Sequence, residues 1–502
     1  MTSMGQIKLN FRRLKRKTAL ILALAMVIGA CSCTSPEPSG SKKISTTGTP
    51  ETTEAPPADV NSLFPMGDKD YFVPFQDPEH SYCTISDGLG TPVREQGWGG
   101  CYCYAAVSTM QSNFLKKNGV LIDINPVDII NRVYGAPDPV TGEVPEYDEE
   151  KIYIRNGLVT DLGGDVQHVV MGLCADPLNG YIISEANIFG CYNCDREGIY
   201  SISENDIKNA IKKYGAICLG VNYTRECKMV NGYYTQNHAN AARDTNHVAT
   251  IVGWDDNFPA DCFKTPATRN GAWLVQNSFG EIWGNMGFYW VSYDTPIPEL
   301  YNCVVTTEYK SGISYGKFPE LLVLSPDALE KAGPDLDSTQ VTCEDITSCN
   351  NVTYATVYDK KGTVGAVGIW ADVPGTPYEI EVLEGEFGKV LATAKGTFER
   401  AGYLAVKLDN PVKVKKFTVV VKTAGNAFFE GESHDTKVYK AIGYAEAHYE
   451  VKTEPGRSFV KVGDDWVDVT DPKIMERMGI ADVSEYAKNK TPGDPCITVL
   501  FV

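Results

Sequence analysis

From Tyr104 to Leu115 the apolar side chains recur at helical spacing, through Val107, Met110 and Phe114, and the run closes on Lys116-Lys117-Asn118-Gly119. Cations suit the carbonyl end of a helix and glycine tolerates the left-handed residue beyond it, so the pattern predicts a helix that ends there. The helix starts after Gly97, Gly99 and Gly100, which cannot sustain it. Downstream, Asn246-His247 opens onto Val248-Ala249-Thr250-Ile251-Val252, a β-branched run predicted to be a buried strand with the imidazole at its head. A second apolar run, Trp273-Leu274-Val275, leads to Gln276-Asn277. Residues 166–173 read as a helix carrying His168, whereas His238 has no apolar run after it and reads as loop. After about Val304 the pattern changes to short apolar or alternating stretches at 363–370, 378–383, 402–408 and 416–422, split by Gly, Pro, Asn and Asp. Such spacing predicts an antiparallel sandwich, and the whole chain reads as α+β.

The start of the chain behaves differently. Lys8, Arg12, Arg13, Lys15, Arg16 and Lys17 precede 13 apolar or small residues at 18–30, too few to span a bilayer, which needs roughly 20. A charged segment followed by a short apolar one has the layout of a secretory signal. Residues 32–59 are nearly all Ser, Thr, Pro, Glu, Gly and Lys; they bury too little surface to offset ordering entropy and read as a disordered tether.

At 502 residues and 43% hydrophobic, the chain is long and apolar enough for two or three folded units. Its formal charge is −18, and the six basic residues of the first segment conceal a remainder of −24. A surface of that sign repels phosphate backbones, and no basic patch stands out along the sequence beyond residue 17, so no nucleic-acid partner is expected. Fifteen cysteines are many for an exported chain. Cys191 and Cys194 form a CxxC compatible with a disulfide, half a metal site or a redox pair. A metal needs a second ligand pair, which Cys101-x-Cys103 does not supply, so no metal or cofactor is expected. Cys343 and Cys349 are spaced to close a small loop.

The chemistry gathers at three places. Cys101 lies at a loop-to-helix junction, where unpaired amides and the helix dipole favour a thiolate. A thiolate nucleophile needs an imidazole to protonate the leaving amine and a third group to orient that ring. Of six histidines, His247 is the best placed, and the carboxamide of Asn277 is able to accept from its ring N–H.

In Gln96-Gly-Trp-Gly-Gly-Cys101-Tyr-Cys-Tyr-Ala, Asn246-His247-Val-Ala and Asn277-Ser-Phe-Gly-Glu-Ile-Trp-Gly, the chain resembles the papain family of cysteine peptidases. The 146 residues from Cys101 to His247 agree with that family's spacing. The resemblance implies Cys101 as nucleophile, His247 as general acid/base, Asn277 as the orienting amide and Gln96 as an oxyanion donor beside the Cys101 amide. It also implies that Gly163-Gly164 receives the substrate backbone. Cys101 is favoured over Cys103 because an aromatic residue, Tyr102, follows it as in the family. Two departures stand out: the interval from Gln96 to Cys101 is one residue short, and Phe279 replaces the family's shielding tryptophan, which implies a thinner shield. Ile28-Gly29-Ala30-Cys31 resembles a bacterial lipobox, which implies lipidation at Cys31. Residues 455–468 resemble a lectin-like module found beside such peptidases, with carbohydrate as the implied partner, although Trp370 and Trp466 read as packing residues.

The expected order is a signal peptide at 1–30, a tether at 31–65, a two-lobed papain-like domain at 66–305 and a β-sandwich at 310–502. The expected protein is a lipid-anchored cysteine peptidase on the extracytoplasmic face of a cell envelope, acting on peptides or proteins through a thioester. The alternatives are an inactive surface adhesin or glycan-binding protein on the same scaffold, and a cell-wall peptide transferase or amidase.

Overall fold

The computed structural model describes residues 60–63, 72–96, 99–135, 152–154, 163–194, 200–223, 227–239, 245–317, 352–430, 434–440, 443–449, 453–462, 464–471 and 493–502. The signal, Cys31, the expected tether as far as residue 59 and the Cys343/Cys349 pair lie outside them; Val60–Leu63, counted in the tether, instead form a 3-10 helix whose Val60 and Leu63 are buried in a core with Cys83 and Phe258.

Helix α1 (Cys101–Asn118) is the central element, with every residue buried from Cys101 to Asn113. It begins directly after Gly100 and ends at Gly119, which takes the left-handed conformation (φ 68°) and donates its N–H to Leu115. Both ends therefore fall where the sequence pattern predicts. α2 (Pro126–Val133) is capped by Asn125, whose side chain accepts from Val127 N. α3 (Val166–Leu173) and α4 (Glu204–Tyr214) start at capping boxes built on Asp165 and Ser203. His168 lies in α3 and His238 outside any helix or strand, as expected.

The strands of the first half are β1 (Ser81–Cys83), β2 (Tyr134–Gly135), β3 (Ile152–Ile154), β4 (Ile182–Tyr192), β5 (Ile217–Val221), β6 (Lys228–Val230), β7 (Tyr233–Gln236), β8 (His247–Asp255), β9 (Ala272–Gln276), β10 (Phe288–Ser292), β11 (Ile297–Thr306) and β12 (Ser311–Ser314). β8 is buried at all nine positions between β5 and β9, to both of which it pairs antiparallel. A strand closed on both edges and both faces needs the continuous apolar run that 248–252 supplies. Trp273 and Trp290, wholly buried on β9 and β10, fill the space around it.

The second half is built from β13 (Val352–Ala371), β14 (Pro377–Glu384), β15 (Val390–Thr397), β16 (Ala401–Thr423), β17 (His434–Lys440), β18 (Gly443–Tyr449), β19 (Ser458–Val462), β20 (Asp465–Asp468) and β21 (Thr498–Phe501). Its internal pairings are antiparallel, around a core that includes Tyr358, Val367, Phe417, Val419 and Val499. Trp370 is buried and Trp466 packs on Phe387, so both serve packing. Two of the expected short strands, 402–408 and 416–422, are one strand, β16. Asp409, Asn410 and Pro411 read as a turn, yet they are exposed positions at which β16 carries on past β13 through shifts in register.

The halves are joined by main-chain hydrogen bonds. Ala401–Leu404 of β16 pair with Ile188–Glu185 of β4, and β21 pairs with both β12 and β13. Lys213 to Glu399 and Lys407 to Glu308, each 2.6 Å, are ion pairs across the same junction.

Candidate active site

Cys101 is the first residue of α1, so its backbone N–H has no acceptor inside the helix and the positive end of the dipole meets its side chain. The thiol is completely buried. β8 lies against the same helix: Thr250, three residues after His247, donates to the carbonyl of Ala105, four residues after Cys101, at 3.4 Å. Cys101, Val248 and Phe279 belong to one buried cluster.

His247 Nε2 donates to Asn277 Oδ1 at 2.7 Å. The backbone N–H of Ser278 donates to the same oxygen at 2.8 Å, which fixes the carboxamide with its oxygen toward the ring. An amide oxygen only accepts, so Nε2 carries the hydrogen and Nδ1 is the other ring nitrogen at which a proton can bind.

Gln96 is tied to the same segment. Its N–H donates to the Ser278 carbonyl at 2.8 Å, and the Ser278 hydroxyl donates to its side-chain oxygen. Its Nε2 is buried and has no acceptor among the described residues. The short interval between Gln96 and Cys101 is thus accommodated by anchoring the glutamine to the Asn277-Ser278 strand end, with a donor left over. Ser278 links Gln96, Asn277 and His247 into one hydrogen-bonded string; its adjacency to Asn277 was the sole sequence signal of that role.

Aromatic rings enclose the imidazole. Phe279 stacks on it with centroids 4.9 Å apart, and Tyr223 stands 5.4 Å away at 57°. Trp283 packs edge-on against Phe279 at 5.4 Å and approaches Tyr223 at 6.4 Å. The shield that Phe279 was expected to thin is restored by Tyr223, which nothing in the local sequence marks. Asn246 holds it, accepting from Tyr223 N at 2.6 Å and donating to Tyr223 O at 2.9 Å.

Gly163 and Gly164 directly precede Asp165, the cap of α3. A Cβ on Gly164 would lie 2.7 Å from the Tyr102 ring, so the packing of Tyr102 requires glycine there. The carbonyl of Gly163 accepts from the Tyr134 hydroxyl at 2.9 Å. His168 is buried, stacked on Tyr134 and bonded to Asp165, which is a packing role. Cys103 points elsewhere: its thiol donates to the Pro126 carbonyl at 3.3 Å, and burial pushes it well above the usual thiol range. Cys191 Sγ reaches the Cys194 carbonyl at 3.5 Å; both thiols are buried and are not joined in a disulfide, and Asn193 between them is exposed.

Residues 84–313 match the family model described as papain family cysteine protease, and residues 339–479 match that of a lectin like domain. The chain carries a papain-type cysteine protease domain followed by a lectin-like domain. Among its relatives, the oryzain gamma chain of Oryza sativa subsp. japonica is 22% identical over 209 residues, covering 40% of this chain and 52% of the relative. Cathepsin K of Mus musculus is 23% identical over 216 residues, covering 40% and 56%. The chain thus spans about half the length of the curated relatives it matches, and the likeness falls on the papain-type domain. Over both domains it is similar to the clostridial cysteine protease Cwp84 after propeptide cleavage, with a TM-score of 0.57, 19% identity, and coverage of 84% of this chain and 98% of that one. A structure of the protease and lectin-like domains of Cwp84, described as a surface layer associated protein of Clostridium difficile, gives a TM-score of 0.53 at 17% identity, over 84% and 88%. These likenesses show the shared two-domain fold.

Proposed function

We propose that the protein is an exported, lipid-anchored cysteine peptidase that cleaves peptide bonds through Cys101, His247 and Asn277. The observation that carries this reading is the 2.7 Å hydrogen bond from His247 to Asn277, which leaves the other imidazole nitrogen for a thiol at a helix N-terminus. The Cys101 thiolate attacks the carbonyl carbon. The oxyanion is met by the Cys101 N–H, at the first position of α1, and by Gln96 Nε2, which is buried and has no acceptor among the described residues. His247, as imidazolium, gives its Nδ1 proton to the leaving nitrogen, the C–N bond breaks and a thioester remains. Water attacks the thioester, His247 takes its proton, and the acid and thiolate are released. Gly163-Gly164 offers a surface without side chains for the substrate backbone.

Export and lipidation at Cys31 are supported by the charged and apolar leader before Ile28-Gly29-Ala30-Cys31, and an extracytoplasmic setting by the surface-layer association of Cwp84. In this reading 1–30 is signal, 31–59 tether, the peptidase unit runs from the Val60–Leu63 turn to 305 and 310–502 is the sandwich, with carbohydrate as the partner suggested by the lectin-like match.

The test is a peptide library presented to the wild-type protein and to Cys101→Ala, together with labelling by an epoxide-type thiol reagent. Cleavage that survives Cys101→Ala overturns the assignment. Complete burial of Cys101 and His247 favours one rival, an inactive scaffold with a sealed thiol; absence of both labelling and cleavage decides for it.

A further inference from the structure

Strand pairing assembles a basic surface that the linear sequence does not display. β13 and β16 pair with Asp359 opposite Lys416 and Thr363 opposite Lys413, and the register shift between these pairs sets Lys360 and Lys361 against Lys415. All five lysines are exposed. Lys413 and Lys415 flank Val414, which is buried in the sandwich core, so they alternate onto its outer face. Lysines around the patch are neutralised, Lys389 by Glu384, Lys407 by Glu308, Lys416 by Glu386 and Lys422 by Glu379. Lys360, Lys361, Lys413 and Lys415 have no such carboxylate among the described residues.

Like charges across neighbouring strands cost stability, and here they are concentrated in a chain whose net charge is −18. A polyanion on this face offsets that cost. The composition of the patch selects among polyanions. It contains no arginine fork for phosphate, and none of the large exposed apolar residues, such as Ile282, Met229 and Val390, falls within 359–363 or 413–416 to enter a lipid surface. Spaced, flexible point charges suit a chain bearing one carboxylate at regular intervals. We infer that the outer face of β13 and β16 binds an acidic polysaccharide. The inference deepens the carbohydrate reading of the lectin-like domain and adds a basic patch to a chain in whose linear sequence none stands out beyond residue 17. Lys360-Lys361 and Lys413–Lys416 are some fifty residues apart in sequence and meet only through the register.

The experiment is binding of the full chain to polygalacturonate, with neutral dextran, phosphatidylglycerol vesicles and a single-stranded oligonucleotide as parallel probes. Lys413→Glu/Lys415→Glu is compared with Lys116→Glu/Lys117→Glu, an equal charge change at the exposed end of α1. Polygalacturonate affinity is expected to fall at least tenfold in the first variant and less than twofold in the second, with the melting temperature unchanged or raised in the first. Equal losses in both variants, or tighter binding of vesicles or oligonucleotide, overturns the inference. Binding of dextran but not polygalacturonate overturns it while leaving the carbohydrate reading intact; binding of neither glycan removes both.

Discussion

The Tyr223 ring stands 5.4 Å from the His247 imidazole, and its backbone is gripped in both directions by the side chain of Asn246, the residue before that histidine. The imidazole is therefore held on one side by Phe279, on another by Tyr223, and through Nε2 by Asn277. The contact is made by the ring, so Tyr223→Phe is expected to keep nearly full kcat. Tyr223→Ala removes an aromatic pair of about 0.5–1.5 kcal/mol and is expected to lower kcat up to roughly tenfold. Peptide hydrolysis followed against pH separates positioning from mere folding: the alanine variant shifts the limb governed by the imidazole and the phenylalanine variant does not. Identical pH profiles for all three forms count against the contact.

The string from Gln96 through Ser278 to Asn277 couples the proposed oxyanion donor, Gln96, to His247. Ser278→Ala leaves the Gln96 side-chain oxygen without its hydroxyl donor, so the carboxamide is free to turn its Nε2 away from the site. Loss of one oxyanion donor costs about 10²–10³ in kcat, which sets the expectation for Gln96→Ala, with Ser278→Ala smaller. In the double variant the two effects are expected not to add, because both act on one donor. Additive losses in steady-state kinetics would place Ser278 outside this string.

How much of the site was legible follows from where its information resides. Cys101, His247 and Asn277 each sit at the end of an element whose periodicity and punctuation are local, so both element and position are readable. Tyr223 is different. It follows β5, and it reaches the imidazole because Val221 pairs with His247 in the sheet, a register set by two strands well apart in sequence. The lysine surface on β13 and β16 has the same origin. The fusion of two expected strands into β16 was hidden because Asn410 and Pro411 are turn formers by composition, whereas their exposed setting tolerates them in a strand.

Buried thiols give the protein an alkaline limit. Burial pushes Cys83 and Cys174 up to about 11, and Cys103 and Cys218 are raised further for the same reason. In the unfolded chain a thiol ionises near 8.5. Above that pH the unfolded state loses protons that the folded state keeps, so stability is full below about 8.5 and declines as pH rises toward 11. Thermal unfolding in reducing buffer is expected to show a falling melting temperature from pH 8.5 upward. Replacing Cys83 and Cys174 together by alanine flattens that slope, even if it lowers stability at pH 7. A slope unchanged by the double substitution would assign the alkaline loss to other groups.

Gly402 tests the junction between the two domains. It lies at φ 112°, paired with Asn187 of β4, and a Cβ there would stand 1.9 Å from the carbonyl oxygen of Ala186. That atom is backbone in the middle of a strand pair and cannot step aside, so Gly402→Ala combines dihedral strain with forced separation of β16 from β4. Gly456 is the control: its φ of 81° carries similar strain, but nothing lies within 4 Å of an added Cβ. Strain alone costs on the order of 1–3 kcal/mol, the expected effect of Gly456→Ala. Gly402→Ala is expected to cost more and to split the thermal transition, since the lost pairing joins the two domains while each keeps its own core. Differential scanning calorimetry reads both outcomes. Equal destabilisation by the two substitutions, in a single transition, would mean that the β16–β4 contact does not bind the domains together.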